Sequence, residues 1–144
     1  MRFLDKLNPL GLLVLRVALG ASFMFHGYPK LRDPASALRE LPGYGFPGYF
    51  GYIVAMLEVF GGGLLILGFL TRGVALLLTI EMGLILNRTV NPSAGIYAFG
   101  RYEMPLLLGA MALALVTTGA GAISIDAFMF PSSRNSTKKS KTKD

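Results

Sequence analysis

The chain has 144 residues, 53% hydrophobic and 15% charged, against roughly 25% charged residues in an ordinary soluble domain, and this deficit excludes a conventional solvated surface. The formal net charge is +6, but Arg134, Lys138, Lys139, Lys141 and Lys143 all lie in the last eleven positions, so the body is poorer still in charge and nucleic acid is not an expected partner. No cysteine and a single histidine exclude a thiol redox couple, a thiolate cluster and bis-histidine haem ligation within one chain.

Four apolar stretches follow one another, roughly Leu10 to Phe25, Ile53 to Leu70, Val74 to Leu86 and Met104 to Ala122. With their flanks they predict helices over about 8–28, 50–70, 73–88 and 102–120. Only the fourth runs near the roughly 20 residues needed to cross a bilayer without meeting a charge; the first contains Arg16, the second Glu58 and the third Glu81. A soluble four-helix bundle would set an apolar stripe against a charged face, whereas these segments are apolar nearly all round. The expected fold is therefore all-α: a polytopic integral membrane protein whose residues 1–130 form one four-transmembrane-helix bundle. Arg2 and Lys6 before the first apolar run also fit a secretory signal, but Arg16 interrupts what should be an uncharged core, so the segment is expected to stay as the first helix.

After that helix, RDPASALRELPGYGFPGYFGY predicts a short surface helix with Asp33 as N-cap, Pro34 in the first position and Pro42-Gly43 as its stop. The second helix, VAMLEVFGGGLLILGFL, places Gly61 and Gly62 one turn beyond Glu58 on the same face, where another backbone or a flat ligand could approach the carboxylate. In the third, VALLLTIEMGLIL, only Thr79 and Glu81 are polar. Glu103 starts the fourth. The final PSSRNSTKKSKTKD has no hydrophobic periodicity and predicts a disordered basic tail over 131–144.

Four crossings put Arg2, Lys6, Arg72 and the five basic tail residues on one side and Lys30, Arg32, Arg39, Arg88 and Arg101 on the other. The positive-inside rule then makes both termini cytoplasmic. All six tyrosines fall on the opposite side, as an interfacial belt or an aromatic lid. Counted from the cytoplasmic end at 1.5 Å per residue, Arg16 lies roughly 9 Å deep, Glu81 roughly 12 Å, Glu58 roughly 18 Å and His26 roughly 24 Å. Two polar strata are expected: Arg16 with Glu58 or Glu81 inside the bundle, and His26 with Glu103 and Arg101 at its outer end. A buried charge is tolerable only when paired and turned inward. Arg16, His26, Glu58, Glu81 and Glu103 are the candidate polar site, with Gly61 and Gly62 as the ligand-approach positions. Scattered glutamates and one histidine are not a metal-ligand set.

Three motifs sit at helix ends: HGYPKL at 26–31, LGFLTR at 67–72 and GAGAISID at 119–126. In this order, with an arginine embedded in the first helix and a glutamate in the second, the sequence resembles the DoxX family of small bacterial four-helix membrane proteins. The resemblance implies an inner-membrane location. Some members are membrane subunits of thiosulfate:quinone oxidoreductase and others are linked to redox complexes, so it also implies a subunit of a quinone-linked oxidoreductase that borrows its redox centre from a quinone or a partner. The expected partners are the bilayer and either a soluble redox protein or further copies of the chain. The alternative is a non-catalytic anchor or small transporter, in which the same residues form structural pairs or a substrate path; without an inverted repeat, transport is the less favoured of these.

Overall fold

The computed structural model describes residues 7–40, 47–89 and 99–129. Every regular element among them is helical: α1 Asn8–Arg32, α2 Pro34–Glu40, α3 Phe50–Leu67, α4 Thr71–Thr89, α5 Phe99–Thr118 and α6 Ile125–Met129. α1 packs along α3 and α4 along α5, and an α3–α4 contact joins the two pairs, while α2 leans on α3. Two of the described helices, α1 and α3, are long and apolar enough to cross a membrane; the apolar part of α5, Tyr102–Thr118, is shorter. α4 carries Arg72, Glu81 and Arg88 within its length. Large apolar side chains face outward on all four long helices, among them Phe25, Phe60, Leu77 and Leu107, as lipid contact requires and water would penalise.

The core is built from one stripe per helix, with Leu19 and Phe23 of α1, Val54 and Leu65 of α3, Leu78 and Met82 of α4, and Leu108 and Leu115 of α5. Where α1 crosses α3, Gly20 and Gly62 face each other without side chains of their own. A Cβ on Gly20 would fall on the main-chain oxygen of Gly62, and one on Gly62 would lie 2.5 Å from the oxygen of Gly20. Backbone meets backbone there, the close approach that small residues permit between helices in a bilayer.

α1 runs past its expected end. Pro29 cannot donate to the preceding turn, yet the helix continues to Arg32 and the Asp33 N–H closes on the Pro29 carbonyl at 3.1 Å. The extra turn extends the buried stripe of Arg16, Leu19, Gly20, Phe23 and Gly27 to Lys30. Asp33 was expected to cap α2 through its carboxylate. Instead that carboxylate pairs with Arg39 at 2.7 Å, and it is the Asp33 carbonyl that accepts the Ser36 N–H at 2.9 Å. Pro42-Gly43, Arg134 and the rest of the basic tail lie outside the described residues.

Two clusters of loops close the end of the bundle where α1 starts, here called the proximal end. α3 stops at Gly68, whose φ of +70° is left-handed; its N–H bonds to the Leu65 carbonyl at 3.1 Å and the Phe69 N–H to that of Leu64 at 3.0 Å, the paired bonds of a Schellman stop. α5 stops at Gly119 in the same conformation, φ +79°, with its N–H 2.8 Å from the Leu115 carbonyl.

Candidate functional site: two buried charge centres

At the distal end, α1 and α3 bring together Lys30 and Glu58. Lys30 Nζ lies 2.7 Å from Glu58 Oε1, with side chains 7% and 1% exposed. Gly27 makes the approach possible, because a Cβ there would sit 2.6 Å from that of Glu58 and 2.9 Å from Val59 Cγ2. The second carboxylate oxygen, Glu58 Oε2, is buried and has no hydrogen-bond partner among the described residues. A buried acceptor left without a donor is costly, by about 1 to 3 kcal/mol, and such a group calls for an explanation.

At the proximal end Arg16, 1% exposed, is inserted between the stop of α3 and the 119–124 loop. Nη1 donates to the Ala120 carbonyl at 2.5 Å and Nη2 reaches that of Ile66 at 3.4 Å. A Cβ on Gly68 would fall 2.5 Å from Nη1 and 2.6 Å from the Ser124 Cβ, so this glycine answers to space as well as to its φ. Asp126, the last residue of GAGAISID, caps α4: its two oxygens accept the N–H groups of Leu70 at 2.7 Å and Thr71 at 2.9 Å. Its own N–H donates to the Gly68 carbonyl at 2.9 Å. A carboxylate at a helix start satisfies orphan donors and faces the positive end of the helix dipole, and its field also reaches Arg16.

The five predicted polar residues thus divide. Arg16, Glu58 and Glu81 are buried, whereas His26 and Glu103 are exposed. His26 and Glu103 of the expected outer stratum lie off the buried faces: at 100° per residue His26 is about 70° from the centre of the buried α1 stripe and Glu103 about 150° from that of α5. The side chain of Arg101 lies outside the described residues. Arg16 does not pair with Glu58: Lys30 takes that carboxylate, and main-chain carbonyls take the guanidinium. Glu81 is buried on the stripe of Val74, Leu78 and Ile85. Gly61 and Gly62 are not open to a ligand. Val74 and Leu78 fill the space at Gly61, and Gly20 with Met24 fills it at Gly62.

Lys30 escapes a reading that ends the first helix at Tyr28. Its signal was present as spacing, since Arg16, Gly20, Phe23, Gly27 and Lys30 recur every three or four residues, the period of one helix face. No group of three or more His, Cys, Asp or Glu that could hold a metal occurs among the described residues. Of the aromatic residues expected as a lid, Tyr28, Tyr49 and Tyr52 are exposed at the distal end, and Tyr28 accepts a hydrogen bond from Arg32 at 3.0 Å.

Comparison with known proteins agrees with the motifs. The DoxX family model matches residues 11–89. The chain is 31% identical over 133 residues to "Putative oxidoreductase CatD" of Bacillus subtilis (strain 168), covering 92% of this chain and 96% of that protein. It is 34% identical over 127 residues to "Inner membrane protein YqjF" of Escherichia coli (strain K12), covering 85% and 95%. An uncharacterized protein of Haemophilus influenzae is 32% identical over 130 residues, covering 88% of this chain and 96% of its own length. No solved structure matches the chain. Spanned almost end to end by such relatives, and all-helical with apolar outer faces, the chain is a membrane protein that belongs to the DoxX family.

Proposed function

We propose that this DoxX protein crosses the bacterial inner membrane four times, with both termini cytoplasmic, and serves as the membrane subunit of a quinone-linked redox complex. The Lys30–Glu58 pair is the observation that carries the reading. It is a buried pair of titratable groups at the end of an apolar bundle, with one carboxylate oxygen awaiting a donor. Ionisable residues inside a membrane are costly and mark functional sites more often than not. The name of the Bacillus subtilis relative points the same way.

The pair fits the polar edge of a quinone head group. Lys30 offers an ammonium that can donate to a carbonyl oxygen, and Glu58 Oε2 can accept from a hydroxyl. A bound quinone supplies the electron chemistry, taking up two electrons and two protons as it is reduced. Lys30 and Glu58 supply orientation and a place to give or receive a proton within hydrogen-bond reach. Burial keeps water from competing for these contacts. The chain has no cysteine, and electrons reach the site from a soluble redox partner or leave toward one.

A quinone analogue titrated against protein purified in mild detergent tests the site. Expected are losses of about tenfold or more in affinity for Glu58→Gln and Lys30→Met, measured per folded molecule, with no change for His26→Ala on the outer surface of α1. Wild-type affinity in both pair variants would leave the anchor reading in place. Orientation is tested separately: of single cysteines introduced at Ser36 and Ser140, only that at 36 should react with an impermeant thiol reagent in spheroplasts.

A further inference from the structure

The proximal end holds a cleft of about 520 Å3, bordered by Leu70, Arg72, Gly73, Thr118, Ser124 and Asp126 among others. Arg72 is exposed on the first turn of α4, and its hydrogen bond from Nη2 to the Thr117 carbonyl is long at 3.4 Å. Its guanidinium leans over the left-handed glycine that ends α5, since a Cβ on Gly119 would lie 3.1 Å from Nε. Among the described residues Asp126 is the only carboxylate in the lining, and it already has both oxygens engaged by the N–H groups of Leu70 and Thr71 and has the charge of buried Arg16 behind it. With Asp126 offset in this way, the accessible charge among the described residues of the cleft is that of Arg72.

Leu70 of the lining is apolar and exposed, as are Ile123 and Phe128, which adjoin Ser124 and Ala127 of the lining along the chain, and Met129 after them. Leu70 is 53% exposed, Phe128 88%, Met129 54% and Ile123 50%. Leu70 lies in the turn between α3 and α4, Ile123 in the loop after α5, and Phe128 and Met129 on α6, all at one end of the bundle, which in a spanning bundle is the level at which acyl chains give way to head groups. A cation over a cleft with an oily rim, at that depth, matches a molecule with an anionic head and an apolar body.

We propose that this cleft is a binding site for an anionic phospholipid, with the phosphate on Arg72 and the chains along Leu70 and Phe128. Arginine suits the role because its planar fork donates twice to a phosphate, whereas lysine meets it as a point charge. The site is at the opposite end of the bundle from Lys30 and Glu58 and does not depend on the quinone reading.

The test uses the full chain in nanodiscs of phosphatidylcholine, with and without phosphatidylglycerol, followed by mild extraction and native mass spectrometry. Wild type should retain phosphatidylglycerol over phosphatidylcholine, Arg72→Gln should lose about tenfold or more of that preference, and Arg72→Lys should keep part of it. Arg39→Gln, which removes an exposed cation at the other end, should retain the lipid like wild type. No preference in wild type, or an equal loss in Arg39→Gln, would overturn the proposal. So would wild-type retention in Arg72→Gln, or complete displacement of the lipid by millimolar inorganic phosphate, which would make the site one for a soluble anion. If Arg72→Gln folds poorly, the preference of wild type alone decides. Unchanged binding of the quinone analogue in a folded Arg72→Gln variant would separate this site from the redox site.

Discussion

Arg16 and Lys30 stand at the two ends of one stripe on α1, both hidden from solvent, and the protein holds them in opposite ways. Arg16 donates hydrogen bonds to the main-chain carbonyls of Ala120 and Ile66, which do not titrate. Its own guanidinium stays charged in any protein. That end of the bundle is fixed. Lys30 faces a carboxylate, and either partner of such a pair can change its protonation state, each doing so at the other's expense. A buried charge held by backbone is a fastener, whereas one held by another ionisable side chain can take part in chemistry.

The sharpest way to break this contrast is to remove one member of the distal pair. Lys30→Met or Glu58→Gln should destabilise the detergent-solubilised protein by about 3 to 5 kcal/mol, and Lys30→Met with Glu58→Leu should recover most of the loss. Arg16→Met combined with Glu58→Leu should instead give additive losses. Unfolding in graded denaturant reads both cycles. Coupling of Glu58 to Arg16 rather than to Lys30 would reverse the pairing on which the comparison rests.

A smaller effect is expected midway between the two centres. Gly62→Ala drives a methyl into the Gly20 carbonyl and Met24 and should cost about 1 to 3 kcal/mol as overpacking. Gly63→Ala, with nothing within 4 Å of the new carbon, should stay within about 0.5 kcal/mol of wild type. Equal responses in thermal unfolding would mean that α1 and α3 do not meet at their glycines.

At the proximal end, Asp126→Ala removes the acceptor for two N–H groups of α4 and should cost about 0.5 to 2 kcal/mol. Amide hydrogen exchange gives the more local readout: Leu70 and Thr71 should lose protection while Lys30 and its neighbours keep theirs. The least effect belongs to the exposed Asp33–Arg39 pair, 56% and 68% accessible. Arg39→Ala should change stability by about 1 kcal/mol at most, and added salt should erase the difference.

Much of the all-helical fold was readable in the sequence, because segments apolar nearly all round do not suit a bundle with a solvated face. Arg16, Glu58 and Glu81 could be placed inside because charge cannot face hydrocarbon cheaply. Their partners could not be read. Choosing between Arg16 and Lys30 for Glu58 depends on whether α1 survives Pro29, and one helical turn decides it. His26 was placed by its depth along the helix and not by its rotation around it, and it faces outward. Asp126 was visible only as the end of a motif, since its role as the cap of α4 joins residues 55 apart in the chain. The glycines beside Glu58 were legible as close-approach positions, but not what approaches, which is the backbone of α1 at Gly62 and side chains of α4 at Gly61.

The contact between Arg16 and Ala120 joins residues 104 positions apart, and this separation sets an order of events during synthesis. Chains emerge from the ribosome at about 5 to 20 residues per second and fold from the N-terminus onward, so the arginine of the first helix waits several seconds in the translocon or bilayer before its acceptor exists. Asp126 arrives later still, and until then the start of α4 has its N–H groups uncapped. The bundle is therefore fastened last at the end where it began. A ribosome that stops short of residue 120 releases a protein whose apolar segments are nearly all made but whose first buried cation lacks its main acceptor.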